Sequence, residues 1–220
     1  MKLNKYIDHT LLKADAKKVE IEKLCIEAKE YDFATVCINP SHIIYAKSLL
    51  KGSNVGITTV VGFPLGATTS EVKAFETKQA IENGASEIDM VINVGAVKDA
   101  NWDLVLNDMV AVKKAAPNNC VKVILENCLL TQEEIIKCCE LALKANLEFV
   151  KTSTGFSSGG ATFKDVSLMK SIVKDNAKVK AAGGVRTYDD AIQMIENGAS
   201  RLGTSGGVAI VKGEEHKTGY

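Results

Sequence analysis

Three ionisable residues in apolar surroundings carry the chemistry this sequence can do. Lys151 follows Phe149-Val150 and precedes the hydroxyl-rich run Thr152-Ser153-Thr154-Gly155. Asp89 stands in Glu87-Ile88-Asp89-Met90-Val91, and Lys180 in Val179-Lys180-Ala181-Ala182-Gly183-Gly184. A lysine at the end of a short apolar strand projects into a pocket. Lost hydration or a neighbouring cation there lowers its pKa and supplies a free amine that attacks a carbonyl. Lys180 is the natural second cation, and Asp89 is a candidate for relaying protons to and from a substrate hydroxyl. Spacing alone equally admits an interior ion network in which the lysines only pair with carboxylates such as Asp89. Lys122 is a rival nucleophile, but it falls at the beginning of its apolar run, which points to the opposite end of the fold. Asp8, in Ile7-Asp8-His9-Thr10, is a weaker carboxylate candidate.

Short β-branched or apolar runs alternate along the chain with longer amphipathic stretches, the pattern of a parallel sheet. The predicted strands are Tyr6 to Thr10, Phe33 to Ile38, Gly56 to Gly62, Glu87 to Ile92, Val121 to Leu125, Phe149 to Ser153, Val179 to Ala182 and Arg201 to Gly203. The predicted helices are Ala16 to Glu30, Ser70 to Asn83, Trp102 to Ala115, Thr131 to Lys144, Thr162 to Lys174 and Tyr188 to Glu196. Ser70 and Thr131, each with glutamate in the following turn, read as N-caps, and Gly84 and Gly198 as the residues just past helix ends. The hexapeptide Ile81-Glu82-Asn83-Gly84-Ala85-Ser86 recurs as Ile195-Glu196-Asn197-Gly198-Ala199-Ser200, an offset of 114 residues. Spread over four units this is about 28 residues per strand and helix, so eight units fill the chain. That favours a closed (β/α)8 TIM barrel over an open doubly wound sheet, for which no G-x-G-x-x-G follows the first strand. The expected organisation is one domain over residues 1–220, with residues 213–220 a loose polar tail.

Active sites of such barrels lie at the carboxyl ends of the strands, and the loops after strands seven and eight often bind phosphate through exposed backbone N–H groups. Glycines stand at both places: Gly183-Gly184-Val185-Arg186 and Gly203-Thr204-Ser205-Gly206-Gly207. The alternative is tight turns that merely need positive φ. The whole chain gives no sign of a nucleic-acid or membrane partner: its 220 residues carry a formal charge of +0 and a pI near 6.8. No run approaches a membrane span and the start lacks a signal peptide's apolar stretch, so a cytoplasmic protein acting on small molecules is expected. Six cysteines without a C-x-x-C pair read as reduced thiols, and three scattered histidines offer no metal-ligand pattern.

At Phe149-Val150-Lys151-Thr152-Ser153-Thr154-Gly155-Phe156 the sequence resembles the deoxyribose-phosphate aldolases, class I aldolases on a TIM barrel. Further matching segments follow in that family's order. They are Ile7-Asp8-His9-Thr10-Leu11-Leu12, Val36-Cys37-Ile38-Asn39-Pro40, Val61-Gly62-Phe63-Pro64-Leu65-Gly66, Glu87 to Val91, Lys180 to Arg186 and Leu202-Gly203-Thr204-Ser205. The resemblance implies reversible cleavage of 2-deoxy-D-ribose 5-phosphate to acetaldehyde and D-glyceraldehyde 3-phosphate, with Lys151 as Schiff-base lysine, Lys180 as second lysine and Asp89 as relay carboxylate. It implies a phosphate site at Gly155, Gly184, Gly203 and Ser205, with Asp8, Cys37, Thr154 and Tyr220 as auxiliary positions. No cofactor or metal is implied, because the protein's own amine is the electron sink. The implied partners are phosphorylated sugar and aldehyde substrates, with a homodimer admitted. Phe156 and Gly206 depart from relatives that carry a lysine and a second serine there, which shifts the expected phosphate contacts toward backbone donors. A phosphosugar isomerase and a non-catalytic phosphate-binding barrel are the alternatives, and neither requires Lys151 to become covalent. The terminal Tyr220 is expected either to fray or to bring a hydroxyl to the C2 proton-transfer step.

Overall fold

The computed structural model describes residues 2–216. Eight strands run β1 (Ile7–Leu11), β2 (Thr35–Ile38), β3 (Gly56–Val61), β4 (Glu87–Val91), β5 (Cys120–Ile124), β6 (Phe149–Lys151), β7 (Lys178–Ala182) and β8 (Ala199–Thr204). They close in sequence order into a barrel, and β8 returns to pair with β1 in parallel. The intervening helices are α1 (Lys18–Glu30), α2 (Ile43–Leu49), α3 (Ser70–Asn83), α4 (Val94–Lys98), α5 (Trp102–Ala115), α6 (Gln132–Lys144), α7 (Phe163–Val173), α8 (Tyr188–Glu196) and α9 (Gly207–Lys212). The expected (β/α)8 barrel is therefore the observed fold. The helices α2, α4 and α9 were not anticipated, because each is too short for a helical repeat of apolar positions to stand out from its surroundings.

Helix ends follow local chemistry. Thr131 caps α6: its hydroxyl accepts from Glu134 N at 3.2 Å, and the Glu134 carboxylate accepts from Thr131 N at 2.7 Å. The expected cap at Ser70 is one residue out. Thr69 is the cap, its hydroxyl accepting from Val72 N at 3.3 Å, and Ser70 is already helical. The repeated hexapeptide has a geometric cause, since Gly84 (φ 119°) and Gly198 (φ 108°) reverse the chain in left-handed conformations between a helix and the next strand.

Strand alternation sorts the side chains into two environments. In β4, Ile88 and Met90 are buried toward the helices, while Glu87 and Asp89 face the barrel interior with Lys122 and Arg201. The apolar layer between strands and helices forms one continuous cluster that includes Ile57, Ile88, Met109, Val123, Val150 and Met169. A buried lysine–aspartate pair interrupts it. Lys73 of α3, fully buried, donates to Asp108 of α5 at 2.5 Å and to the Val91 carbonyl at the end of β4 at 2.8 Å. Gly62 (φ 62°) passes directly over this lysine, where a Cβ would lie 2.7 Å from Lys73 Cε.

Asp108→Ala leaves a buried ammonium without its counter-charge, which typically costs about 3–5 kcal/mol. A urea unfolding midpoint unchanged by this substitution would remove the pair from the forces that hold α3 and α5 to the barrel.

Candidate active site

The centre of the barrel is organised by a carboxylate with three ammonium neighbours. Asp89 Oδ2 accepts from Lys151 Nζ and from Lys180 Nζ, each at 2.8 Å, and Asp89 Oδ1 accepts from Lys122 Nζ at 3.0 Å. Lys180 Nζ also lies 2.5 Å from Asp8 Oδ2, and Lys122 Nζ 2.5 Å from Glu87 Oε2. Arg201 joins the two outer carboxylates, with Nη1 2.6 Å from Asp8 Oδ1 and 3.2 Å from Glu87 Oε2. Every member is delivered by an inward position of a strand. Lys122, expected toward the opposite end, sits only one inward layer below Lys151, because it pairs in register with Phe149 while Lys151 pairs with Ile124. It therefore reaches the same carboxylate.

The three lysines differ in electrostatics. Burial pushes the Lys151 pKa down, and Lys180 adds to the depression against the opposing pull of Asp89, so the net shift is downward. Lys180 is held well above its ordinary value: burial opposes its charge, but Asp8 and Asp89 outweigh that cost. Lys122 is likewise raised, by Asp89 and Glu87 against burial. Asp89 and Asp8 both lie below the usual carboxylate range, since the surrounding cations overcome burial. Cys37, buried beside these groups, has its thiol pKa pushed up by burial. Among the described residues, no group of three or more His, Cys, Asp or Glu side chains is disposed to hold a metal ion.

Above this network opens a cavity of about 320 Å³ between the loops after β6, β7 and β8. Gly155, Gly184, Gly203 and Ser205 all line it, together with Ser157, Gly183, Arg186 and His216. Gly155 (φ 85°) and Gly184 (φ 84°) occupy left-handed conformations that disfavour a side chain. Gly203 serves a different purpose, as its φ is ordinary but a Cβ there would stand 3.1 Å from Lys180 Cε. The glycine brings the cavity floor onto the second lysine. The loop after Lys151 is anchored from β5: Glu126, itself at φ 57°, accepts from Thr154 N at 3.1 Å and from the Thr154 hydroxyl, which in turn accepts from Phe156 N at 3.0 Å. Phe156 packs edge-on against Phe63 with ring centroids 5.2 Å apart.

A family model for DeoC/LacD family aldolases matches residues 2–213. The chain belongs to the DeoC/LacD aldolase family. It is accordingly a carbon–carbon lyase. Similar proteins include deoxyribose-phosphate aldolase 1 of Mesoplasma florum, 70% identical with all of both chains covered. The deoxyribose-phosphate aldolase of Streptococcus pneumoniae (strain P1031) is 63% identical over 97% of each chain. Among solved structures, the tetrameric deoxyribose phosphate aldolase from Aeropyrum pernix superposes with a TM-score of 0.89 at 31% identity, covering 96% of this aldolase and 89% of that chain. The isomerase alternative finds no support in these similarities.

The fold thus gathers Lys151, Asp89, Lys180, Asp8 and Cys37 at the barrel centre, places the four phosphate-site candidates around one cavity, and ties Thr154 to Glu126. Tyr220 lies outside the described residues. Sequence reasoning missed Arg201, Glu87, Glu126 and His216. The first two had a legible signal, since Glu87 alternates with Asp89 in β4 and Arg201 alternates with Gly203 in β8, which puts each pair on one face of its strand. Glu126 had none, because its position follows the end of a strand and its αL backbone is visible only in three dimensions.

Glu126→Gly removes the carboxylate at a backbone conformation that glycine adopts freely, so the substitution removes the hydrogen bonds without backbone strain. Amide hydrogen exchange at Thr154 and Phe156 is expected to quicken by tenfold or more, following loss of about 1.4 kcal/mol of local restraint. Unchanged exchange would mean that Glu126 does not hold this loop.

Proposed function

We propose that this aldolase reversibly cleaves 2-deoxy-D-ribose 5-phosphate to acetaldehyde and D-glyceraldehyde 3-phosphate through a Schiff base on Lys151. The observation that carries the assignment is the divergence of three lysines around one carboxylate. Only Lys151 has its pKa lowered, and it is also the one that ends its strand and leads into a loop lining the cavity.

In this reading the neutral Lys151 amine adds to the C1 aldehyde and expels water, giving an iminium. The C3 hydroxyl loses its proton, the C2–C3 bonding electrons move to the iminium, and D-glyceraldehyde 3-phosphate departs. Protonation of the resulting enamine at C2, followed by hydrolysis, frees acetaldehyde and regenerates the amine. Asp89 and Lys180 move the protons, with water completing the relay. A carboxylate under three cations is a poor base. The iminium keeps a positive charge on Lys151 while the C3 proton is taken, and that cation is removed from beside Asp89 only as the C2–C3 electrons reach the iminium and the neutral enamine forms. The phosphate is held by Gly155, Gly184, Gly203 and Ser205, which line the cavity above the lysine network. The same reading treats residues 1–220 as one catalytic domain in the cytoplasm, supported by six free thiols. The tetrameric relative supports self-association, for which a homodimer is the simplest form. Tyr220 is retained as a candidate proton donor at C2.

Borohydride reduction in the presence of acetaldehyde is expected to fix a two-carbon adduct on Lys151 alone. Peptide mapping that finds it on Lys180 or Lys122 would overturn the assignment. The pH dependence of imine formation supplies an independent check, because the amine must be unprotonated and the rate falls as pH drops through the Lys151 pKa. Lys180→Leu removes a cation that depresses this pKa, so the acidic limb is expected to move to higher pH. Asp89→Asn removes an anion that raises it, so the limb moves to lower pH, while the proton-transfer steps slow by about 10²–10⁴. Shifts of the same sign in both variants would rule out electrostatic control of Lys151 by these neighbours.

A further inference from the structure

We infer that the His216 imidazole is a ligand for the substrate's phosphate group, in a seat that Gly206 keeps open. His216 lines the cavity together with Gly184, Gly203 and Ser205. Its Nε2 stands 3.1 Å from the Ser205 hydroxyl, and its backbone N–H donates to the Arg186 carbonyl at 3.0 Å, which ties it to the loop after β7. Gly206 is the key to the arrangement. Its φ of −92° is open to any residue, so backbone conformation does not call for glycine there. A Cβ at position 206 would instead lie 2.5 Å from both Cβ and Cγ of His216, and no side chain fits. The space beside position 206 is therefore filled by the His216 side chain.

The chemistry suits an anion. A neutral imidazole beside Ser205 offers one N–H donor, and a protonated one offers two donors and a positive charge. The groups facing it are Arg186 from the loop after β7 and His9 from β1, the latter paired with Glu27 of α1 at 2.8 Å. Burial first, then His9 and Arg186, lowers the His216 pKa when no phosphate is bound. A phosphate dianion in the cavity opposes all three effects, so binding draws a proton onto His216.

The inference rests on the phosphate-ester reading of the substrate, and cleavage of 2-deoxyribose 5-phosphate by the unaltered protein tests that reading separately. Histidine Cε1–H signals followed by NMR across pH, with and without inorganic phosphate, read the inference directly. The signal lost in His216→Asn identifies the residue. Its midpoint is expected to rise by a unit or so with phosphate, on the scale of an adjacent opposite charge. Gly206→Ser is expected to abolish the rise by displacing the ring. His216→Asn should raise KM several-fold more for 2-deoxyribose 5-phosphate than for unphosphorylated 2-deoxyribose. A His216 titration indifferent to phosphate, or equal losses for both substrates, overturns the inference even in a protein that cleaves 2-deoxyribose 5-phosphate.

Discussion

The Asp89 carboxylate is fully buried, and an isolated charge there would be prohibitively costly, so the barrel interior is built around satisfying it. Three ammonium groups on three consecutive strands do so, and each then requires its own compensation. Lys122 finds Glu87 and Lys180 finds Asp8, while Arg201 bridges those two outer carboxylates. Thr35 donates to Asp8 Oδ1 at 2.7 Å and lies 2.9 Å from Thr58, which donates to Glu87 at 3.2 Å. The chain of polar contacts thereby touches every one of the eight strands. A buried network of this kind is tolerable only when its members are satisfied together, and the closed barrel supplies inward positions from all sides.

In the proposed reading the substrate's two ends meet different physics. The carbonyl end meets a dry, charge-dense interior with side chains fixed by strands, where small changes in protonation are strongly felt. The phosphate end meets a cavity made from loops, where glycines at 155, 183 and 184 turn the backbone through conformations that other residues disfavour. Gly203 joins the two regions by letting the cavity floor touch Lys180. Glu126 joins them a second way, since it braces the segment that begins at Lys151 and ends at the cavity wall.

Much of this was legible in the sequence because it rests on periodicity. Alternation located all eight strands, and the repeated hexapeptide gave the unit length, since identical αL glycines close identical helix-to-strand turns. Lys151, Asp89 and Lys180 stood out as charges inside apolar runs. Other features resisted for identifiable reasons. Lys122 shares the inward parity of Asp89, but its proximity depends on the stagger between β5 and β6. Lys73 looks like any helix-face lysine until α5 brings Asp108 against it. His216 belongs to a polar stretch with no periodicity, and only the missing Cβ of Gly206 shows why it can lie where it does.

The network also explains why one lysine of three is chemically distinct. Four basic side chains face three carboxylates in this interior, so full ionisation leaves one uncompensated positive charge. The proton most easily lost is set by how anions are shared. Lys122 is held between Glu87 and Asp89, and Lys180 between Asp8 and Asp89, whereas Lys151 has only Asp89, through an oxygen it shares with Lys180. Arg201 keeps its proton by the intrinsic basicity of a guanidinium. Neutralising Lys151 balances the charge without stranding any carboxylate, and its position at the end of β6 puts the resulting free amine closest to the loops. The same sharing that lets the barrel bury Asp89 thus leaves Lys151 as the member best able to give up its proton and act as a nucleophile.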